Sequence, residues 1–149
     1  MRDPKPEPSK PWVRECLDWA CRDQATHNLM VALMDRALRE PDFMGRLYLG
    51  AVRRRGEIAA LALRTGDYPK MSISASPYAD AVEELAAKVN EQMPDLPCVL
   101  GPKDEARQFA NAWALTSKVP PVLGLSQRIY RLTRVVPMTG PPCFEIWRR

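Results

Sequence analysis

One histidine and four cysteines set the first limits on the chemistry this chain can do. Cys16, Cys21, Cys98 and Cys143 form no C-x-x-C pair and no Cys/His set at zinc-ligand spacing. Cys16 and Cys21 are five residues apart on a predicted helix, which points them to different faces. We read them as small, reduced, mostly buried hydrophobes, and no metal site is expected. A nucleophilic cysteine needs a positioned base, and His27 is the only imidazole. It lies in the loop-like stretch QATHNL, where helix capping or packing is expected rather than proton transfer. A Ser–His–Asp triad would also depend on His27, and no G-x-S-x-G elbow accompanies it. The run Arg53-Arg54-Arg55 before Gly56 is read as a solvated hairpin turn rather than an anion site.

These residues must be positioned by elements that the apolar pattern outlines. Ser9 caps a first helix with Pro11 in its opening turn, and Trp12, Cys16, Trp19 and Ala20 make its stripe. After Thr26-His27-Asn28, a second helix carries Leu29, Leu33 and Ala37 beside Met30, Met34 and Leu38, and Pro41 ends it. Residues 46–52 and 57–65 form an antiparallel hairpin around a turn in which Gly56 takes a positive φ. A turn at Gly66-Asp67-Tyr68-Pro69 leads to a short strand over 71–75. Ser76-Pro77 then opens a helix whose buried stripe is Val82, Leu85, Ala86 and Val89, with Pro94 beyond its end. A short strand over 97–100, a helix bearing Ala106, Phe109, Ala110, Trp113 and Ala114, and a long final strand over 125–136 complete the pattern. The order ααβββαβαβ predicts an α/β (α+β) fold with one mixed sheet and helices on both faces. Residues 1–10 read as a proline-rich mobile leader, 11–138 as the folded domain and 139–149 as a tail or linker.

The chain is long enough for one domain with a sizeable core: 149 residues, 46% hydrophobic and 27% charged. It has no apolar run of membrane-spanning length and no secretory leader, so a cytoplasmic location is expected. The net charge of +4 is concentrated near the end of the chain. Residues 118–149 carry six basic side chains and only Glu145 as an acid, whereas the preceding residues are nearly balanced. That distribution is unlike the broad basic face, interleaved with aromatics, of a nucleic-acid binder.

The element order resembles the GNAT acetyltransferase fold with its first strand missing or absorbed into the leader. Shorter segments add to the likeness: His27-Asn28-Leu29, Tyr48-Leu49, Leu63-Arg64-Thr65, PCVLGP at 97–102, FANAW at 109–113 and QRIYRL at 127–132. Together they resemble the N-terminal GNAT-like half of bacterial tandem GNAT proteins, over residues 12–138. The resemblance implies acetyl-CoA as cofactor if the domain is active. It also implies a partner, either a cofactor-binding GNAT half or a second copy in a homo-oligomer.

Two departures from that family pattern bear on function. Acetyl-CoA-binding members carry a Q/R-x-x-G-x-G/A loop that lets backbone N–H groups reach the pyrophosphate. The matching stretch here, residues 72–80, has no glycine and no basic residue, and Pro77 removes a donor. Ser74 and Ser76 are the candidate cofactor-binding residues, their hydroxyls a weak substitute for that loop, and Ser76 is expected to cap the helix. In an active enzyme Tyr130 would be the acid by family position, with Glu57, Glu83 and Glu84 as unselected candidates for the base. The tandem proteins also continue into a cofactor-binding half, whereas this sequence stops at Arg149. The expectation is a GNAT-like domain without independent catalysis, the alternative being an active N-acetyltransferase with a variant loop.

Overall fold

A computed structural model describes residues 8–66 and 68–134 of the chain. Helix α1 (Lys10–Ala20) starts where predicted, with the Ser9 hydroxyl accepting from the Trp12 amide at 3.4 Å and proline in its first turn. A single 3₁₀ turn, Cys21–Asp23, leads toward α2 (Asn28–Arg39). Pro41 both stops α2 and opens the one-turn α3 (Pro41–Met44), since its fixed φ suits the first helical position. The sheet follows, as β1 (Leu47–Arg54), β2 (Glu57–Thr65) and β3 (Lys70–Ile73). Then come α4 (Ala79–Gln92), β4 (Cys98–Leu100) and α5 (Lys103–Ser117).

The strands lie in the order β1-β2-β3-β4. The first three pair antiparallel, and β4 joins β3 in parallel after the α4 crossover. This is a mixed α+β fold with one mixed sheet, as the pattern predicted. The β1–β2 hairpin is tighter than expected: β1 runs on through Arg54, leaving a two-residue turn. Arg55 has φ +53° and Gly56 φ +84°, the pair of positive values that matches the twist of a two-residue hairpin. Asp67, in the next turn, lies outside the described residues.

One extra residue in β2 decides how the core divides. Val52 pairs with Ala60 but Arg53 pairs with Ile58, so Ala59 is bulged out of register. The bulge brings Ile58 onto the same face as Leu61 and Leu63 despite the odd spacing. These three pack with Val13, Cys16, Met30 and Met34 under α1 and α2. Ala59, Ala60 and Ala62 face the other side, where Met71, Val82, Leu85, Val89 and Phe109 pack under α4 and α5. Helices therefore cover both faces of the sheet. Large residues on one face of β2 and alanines on the other let α4 sit close while α1 and α2 meet bulkier side chains.

The second arginine of the run is not a solvated turn residue. Alternation along β1 sends Arg53 and Arg54 to opposite faces. Arg53 donates to Glu15 on α1 at 2.6 Å and lies 5.3 Å from the Trp12 ring centre. Arg54 donates to Asp80 and Glu84 on α4 at 2.6 and 2.8 Å. The arginines thus tie the hairpin to both helical layers.

The final strand is a correction. Among the described residues, 118–134 contain no strand, and all are exposed. Lys118 ends α5 in the left-handed conformation at φ +58°, and Pro120-Pro121 then supplies no backbone donor for a ladder. Residues 1–7 and 135–149 lie outside the described residues, and with them most of the leader, all of the tail and Cys143. Residue 10, assigned to the leader, belongs to α1.

Candidate functional site

The residues with most potential for ligand chemistry converge where β3 leaves the sheet for α4. Met71, Ser72, Ile73 and Ser74 are buried here, so the backbone turns inside the protein rather than at its surface. Ser74 is 1% exposed. Its amide donates to the Leu61 carbonyl at 3.0 Å, and its hydroxyl accepts from the Leu61 amide at 2.9 Å. The serine thereby extends the β2–β3 pairing by one side chain after the strand has ended.

The next donor belongs to Ala75, and His27 takes it. The Ala75 amide donates to His27 Nε2 at 3.1 Å, while His27 Nδ1 lies 3.2 Å from the Ala20 carbonyl. With Nε2 accepting, the ring is the tautomer protonated at Nδ1, and both nitrogens are used. The ring is 6% exposed and stacks on Trp19 at 5.4 Å between centres. His27 is therefore a packing and bridging residue, as its position between the two helices suggested. It joins the end of α1 and the start of α2 to the β3–α4 turn.

Ser76 is oriented by a carboxylate and by its own turn. Its amide donates to Glu105 Oε1 at 3.1 Å, from the first turn of α5. Its hydroxyl accepts from the Tyr78 amide and donates to the Tyr78 carbonyl, both at 3.1 Å. Ser76 was expected to cap α4, but the helix begins at Ala79 and Tyr78 occupies the cap position without a side-chain bond. Pro77 is the reason: it restricts Ser76 to an extended backbone, so the hydroxyl closes a local turn one step before the helix.

The electrostatics around this turn also disfavour an anion. Glu105 puts a carboxylate on the turn, and Asp80 stands in the first turn of α4. Gln108 clamps α5 to the start of α4, donating to the Ala79 carbonyl at 3.0 Å and to Glu83 at 3.3 Å. Beside this clamp, Glu83, Asp104, Arg107, Gln108, Asn111 and Leu115 border an open groove of about 650 Å³ between α4 and α5. A further restraint is Gly101, just after β4. A Cβ there would sit 2.8 Å from the Ile73 carbonyl oxygen, so only glycine permits β4 to leave the sheet so close to β3.

The structure does not gather the other candidates here. Tyr130 lies in the extended segment after α5 and is 82% exposed. Glu57 pairs with Arg22 at 3.5 Å on the exposed end of β2. Glu84 accepts from Lys88 at 2.7 Å and Arg54 at 2.8 Å, bonds that hold its carboxyl below the ordinary glutamate range and make it a poor base. Cys16 is buried, with its thiol pushed up to about 12 by desolvation and by the neighbouring Glu15 charge. Cys21 and Cys98 are exposed, contrary to the expectation that the cysteines are mostly buried. Cys21 falls past the end of α1, and Cys98 begins an edge strand.

Sequence reasoning missed Glu105 and the second bond of His27. Both are contacts between segments 29 and 48 residues apart, which no local spacing encodes. Among the described residues, no group of three or more His, Cys, Asp or Glu is placed to hold a metal ion, and no helix is long and apolar enough to cross a membrane. No family model, curated protein or solved structure matches this chain.

Proposed function

We propose that this chain is a GNAT-like domain without acetyl transfer of its own, serving as a cytoplasmic accessory or interaction module in an acetyltransferase system. The observation that carries this reading is the occupied state of the β3–α4 turn. A pyrophosphate-binding turn needs backbone N–H groups free to point at the ligand. Here the amides of Ser74, Ala75, Ser76 and Tyr78 all have acceptors within the protein, and residue 77 is proline. The Glu105 carboxylate would repel a diphosphate at about the distance where such a ligand must approach. The meander followed by a parallel β3–β4 pair, with helices on both faces, supports the GNAT comparison.

Catalysis by the alternative route asks more of the chain. Amine attack on a thioester requires a held cofactor, a base and a donor to the departing thiolate. Ser74 and Ser76, the residues first considered for the cofactor, have their hydroxyls committed to Leu61 and Tyr78. Tyr130 stands apart from them in an exposed segment.

Calorimetric titration of the full chain with acetyl-CoA tests the proposal. No saturable heat up to millimolar cofactor is expected. Micromolar, saturable binding would refute it, and loss of that binding in Ser76→Ala would then assign the active alternative.

A further inference from the structure

The segment after α5 gathers apolar surface and positive charge that the domain itself does not use. Residues 122–134 include Val122, Leu123, Leu125, Ile129, Tyr130 and Leu132, each between 61% and 89% exposed. So much adjacent apolar surface is uncommon on a chain that meets only water. The segment 118–134 also carries Lys118, Arg128, Arg131 and Arg134 and no acid at all. By contrast, residues 76–117, which build the α4–β4–α5 layer, carry seven carboxylates against three basic side chains.

The spacing of these residues separates two conformations. Ile129 and Tyr130 individually suit a strand. As a strand, however, the segment puts Leu125, Ile129 and Arg131 on one face and Arg128, Leu132 and Arg134 on the other, so neither face is apolar. As a helix, at about 100° per residue, Leu125, Ile129 and Leu132 fall within an arc of about 60°, and all three arginines lie outside it. Arg128 then borders the apolar stripe and Arg131 comes next on the same flank. That placement suits cations whose stems lie along an apolar surface while their charged heads stay wet. A helix this short does not hold itself together in water. Residues 118–134 accordingly form no helix on their own and are exposed throughout.

We infer that residues 122–134 bind the surface of an anionic lipid bilayer and fold on it as an interfacial helix. The apolar stripe enters the boundary between headgroups and acyl chains, and the arginines meet lipid phosphates. The contact lies along the surface and spans nothing. Nucleic acid would use the cations but has no place for three aliphatic side chains on one stripe. A protein groove needs matched shape, whereas a bilayer needs only apolar area and positive charge, which are what the segment supplies. The αL Lys118 and the stiff Pro120-Pro121 pair set the segment off from α5. That separation matters, because an anionic surface repels the acidic α4–α5 layer. Arg131 contributes least among the groups that keep the Asp23 carboxyl ionised, so it is free to exchange that neighbour for a phosphate. The binding is independent of whether the domain takes acetyl-CoA.

Flotation of the full chain with lipid vesicles tests this. Vesicles that mix phosphatidylglycerol with phosphatidylcholine should carry the protein at low salt, with partitioning about tenfold or more above that on phosphatidylcholine alone. Far-ultraviolet circular dichroism should gain helix on the mixed vesicles and not on the neutral ones. Ile129→Asp should lower the partitioning by about tenfold or more, and so should the pair Arg128→Gln with Arg131→Gln. These side chains are exposed, so the spectra of the variants without lipid should match the wild type. A chain left behind by the mixed vesicles overturns the inference, as does equal partitioning onto both kinds of vesicle. Undiminished binding in Ile129→Asp overturns it as well, because charge alone would then hold the chain. Binding without added helix overturns the interfacial helix. A chain that binds polyuridylate but not the mixed vesicles places the arginines on nucleic acid and overturns the lipid assignment.

Discussion

The β3–α4 turn and the segment after α5 are both irregular backbone, but they meet their hydrogen-bonding needs in opposite ways. In the turn, the Leu61 carbonyl of β2, the His27 ring before α2 and the Glu105 carboxylate of α5 take the donors one by one. Among the described residues no buried side-chain nitrogen or oxygen lacks a partner. In the segment 118–134, the backbone bonds that close secondary structure end with Lys118, and large apolar side chains face outward. A closed turn has little left to offer a ligand. An open segment with strand-forming residues has its interactions still to make, and that is where partner binding is to be sought.

The sharpest break between the two regions is in the cost of removing an apolar side chain. Leu61 is fully buried between β2 and the α1–α2 layer. Leu61→Ala should destabilise the protein by about 2–5 kcal/mol, the transfer term plus a cavity that the bulged strand cannot collapse. Leu123→Ala in the exposed segment, measured by urea unfolding at a concentration where the chain is monomeric, should stay within about 0.5 kcal/mol. Equal losses at the two positions would mean that the segment packs on its own body.

Thiol reactivity offers a second contrast, of comparable size. Burial and the Glu15 charge raise Cys16 from 9.0 to about 12, which reduces its thiolate by about a thousandfold at neutral pH. Exposed Cys21 and Cys98 should alkylate readily in the native protein, whereas Cys16 should react only after unfolding. Mass mapping after a short pulse of iodoacetamide reads this directly. Early labelling of Cys16 would show that the α1 face opens without global unfolding.

His27→Ala tests the closed turn itself. It leaves the half-buried Ala75 amide without its acceptor, at a cost of up to about 1–3 kcal/mol. Loss of the stacking on Trp19 adds to this. The expected signature is local: hydrogen exchange at Ala75 should accelerate more than exchange in β2. Uniform acceleration would make His27 a core-packing residue and nothing more.

What the sequence disclosed follows from what is local. The Ser9 cap, the stripes of α1 and α4, that of α2 apart from the exposed Leu29, and the positive φ at Gly56 are set within a few residues, and each is present. The bulge at Ala59 was hidden, because an alanine-rich strand shows no alternation to interrupt. The last strand failed for a different reason. Residues 125–134 have strand-forming side chains, but a strand also needs an edge, and Pro120-Pro121 precedes it with a direction that local propensity does not report. At the candidate site, the lack of glycine over residues 72–80 and the donor lost at Pro77 were legible. The carboxylate and imidazole that fill it come from distant segments and were not.

The smallest expected effect concerns the arginine that holds α4 to the hairpin. Arg54 bonds to Asp80 and Glu84, and these bonds raise its own pKa further while lowering that of Glu84. A carboxyl with a depressed folded pKa stabilises the protein above its unfolded value, near 4.5, and loses that contribution as pH falls through the lower folded value. Arg54→Ala should therefore flatten the acid side of the stability profile below that value, with a small loss at neutral pH that salt reduces further, because these groups remain partly solvated. Lys88 still bonds Glu84 at 2.7 Å, so the flattening should be partial in Arg54→Ala and greater in the double variant with Lys88→Ala. The comparison to make is with Arg131→Ala, which removes a distant charge from Asp23 but leaves the stronger Thr26 bonds that hold that carboxyl ionised. If Arg131→Ala flattened the acid limb as much as Arg54→Ala, the segment after α5 would be bound to its own body as firmly as the hairpin is to α4. The open character that makes it the place to look for a partner would then be lost.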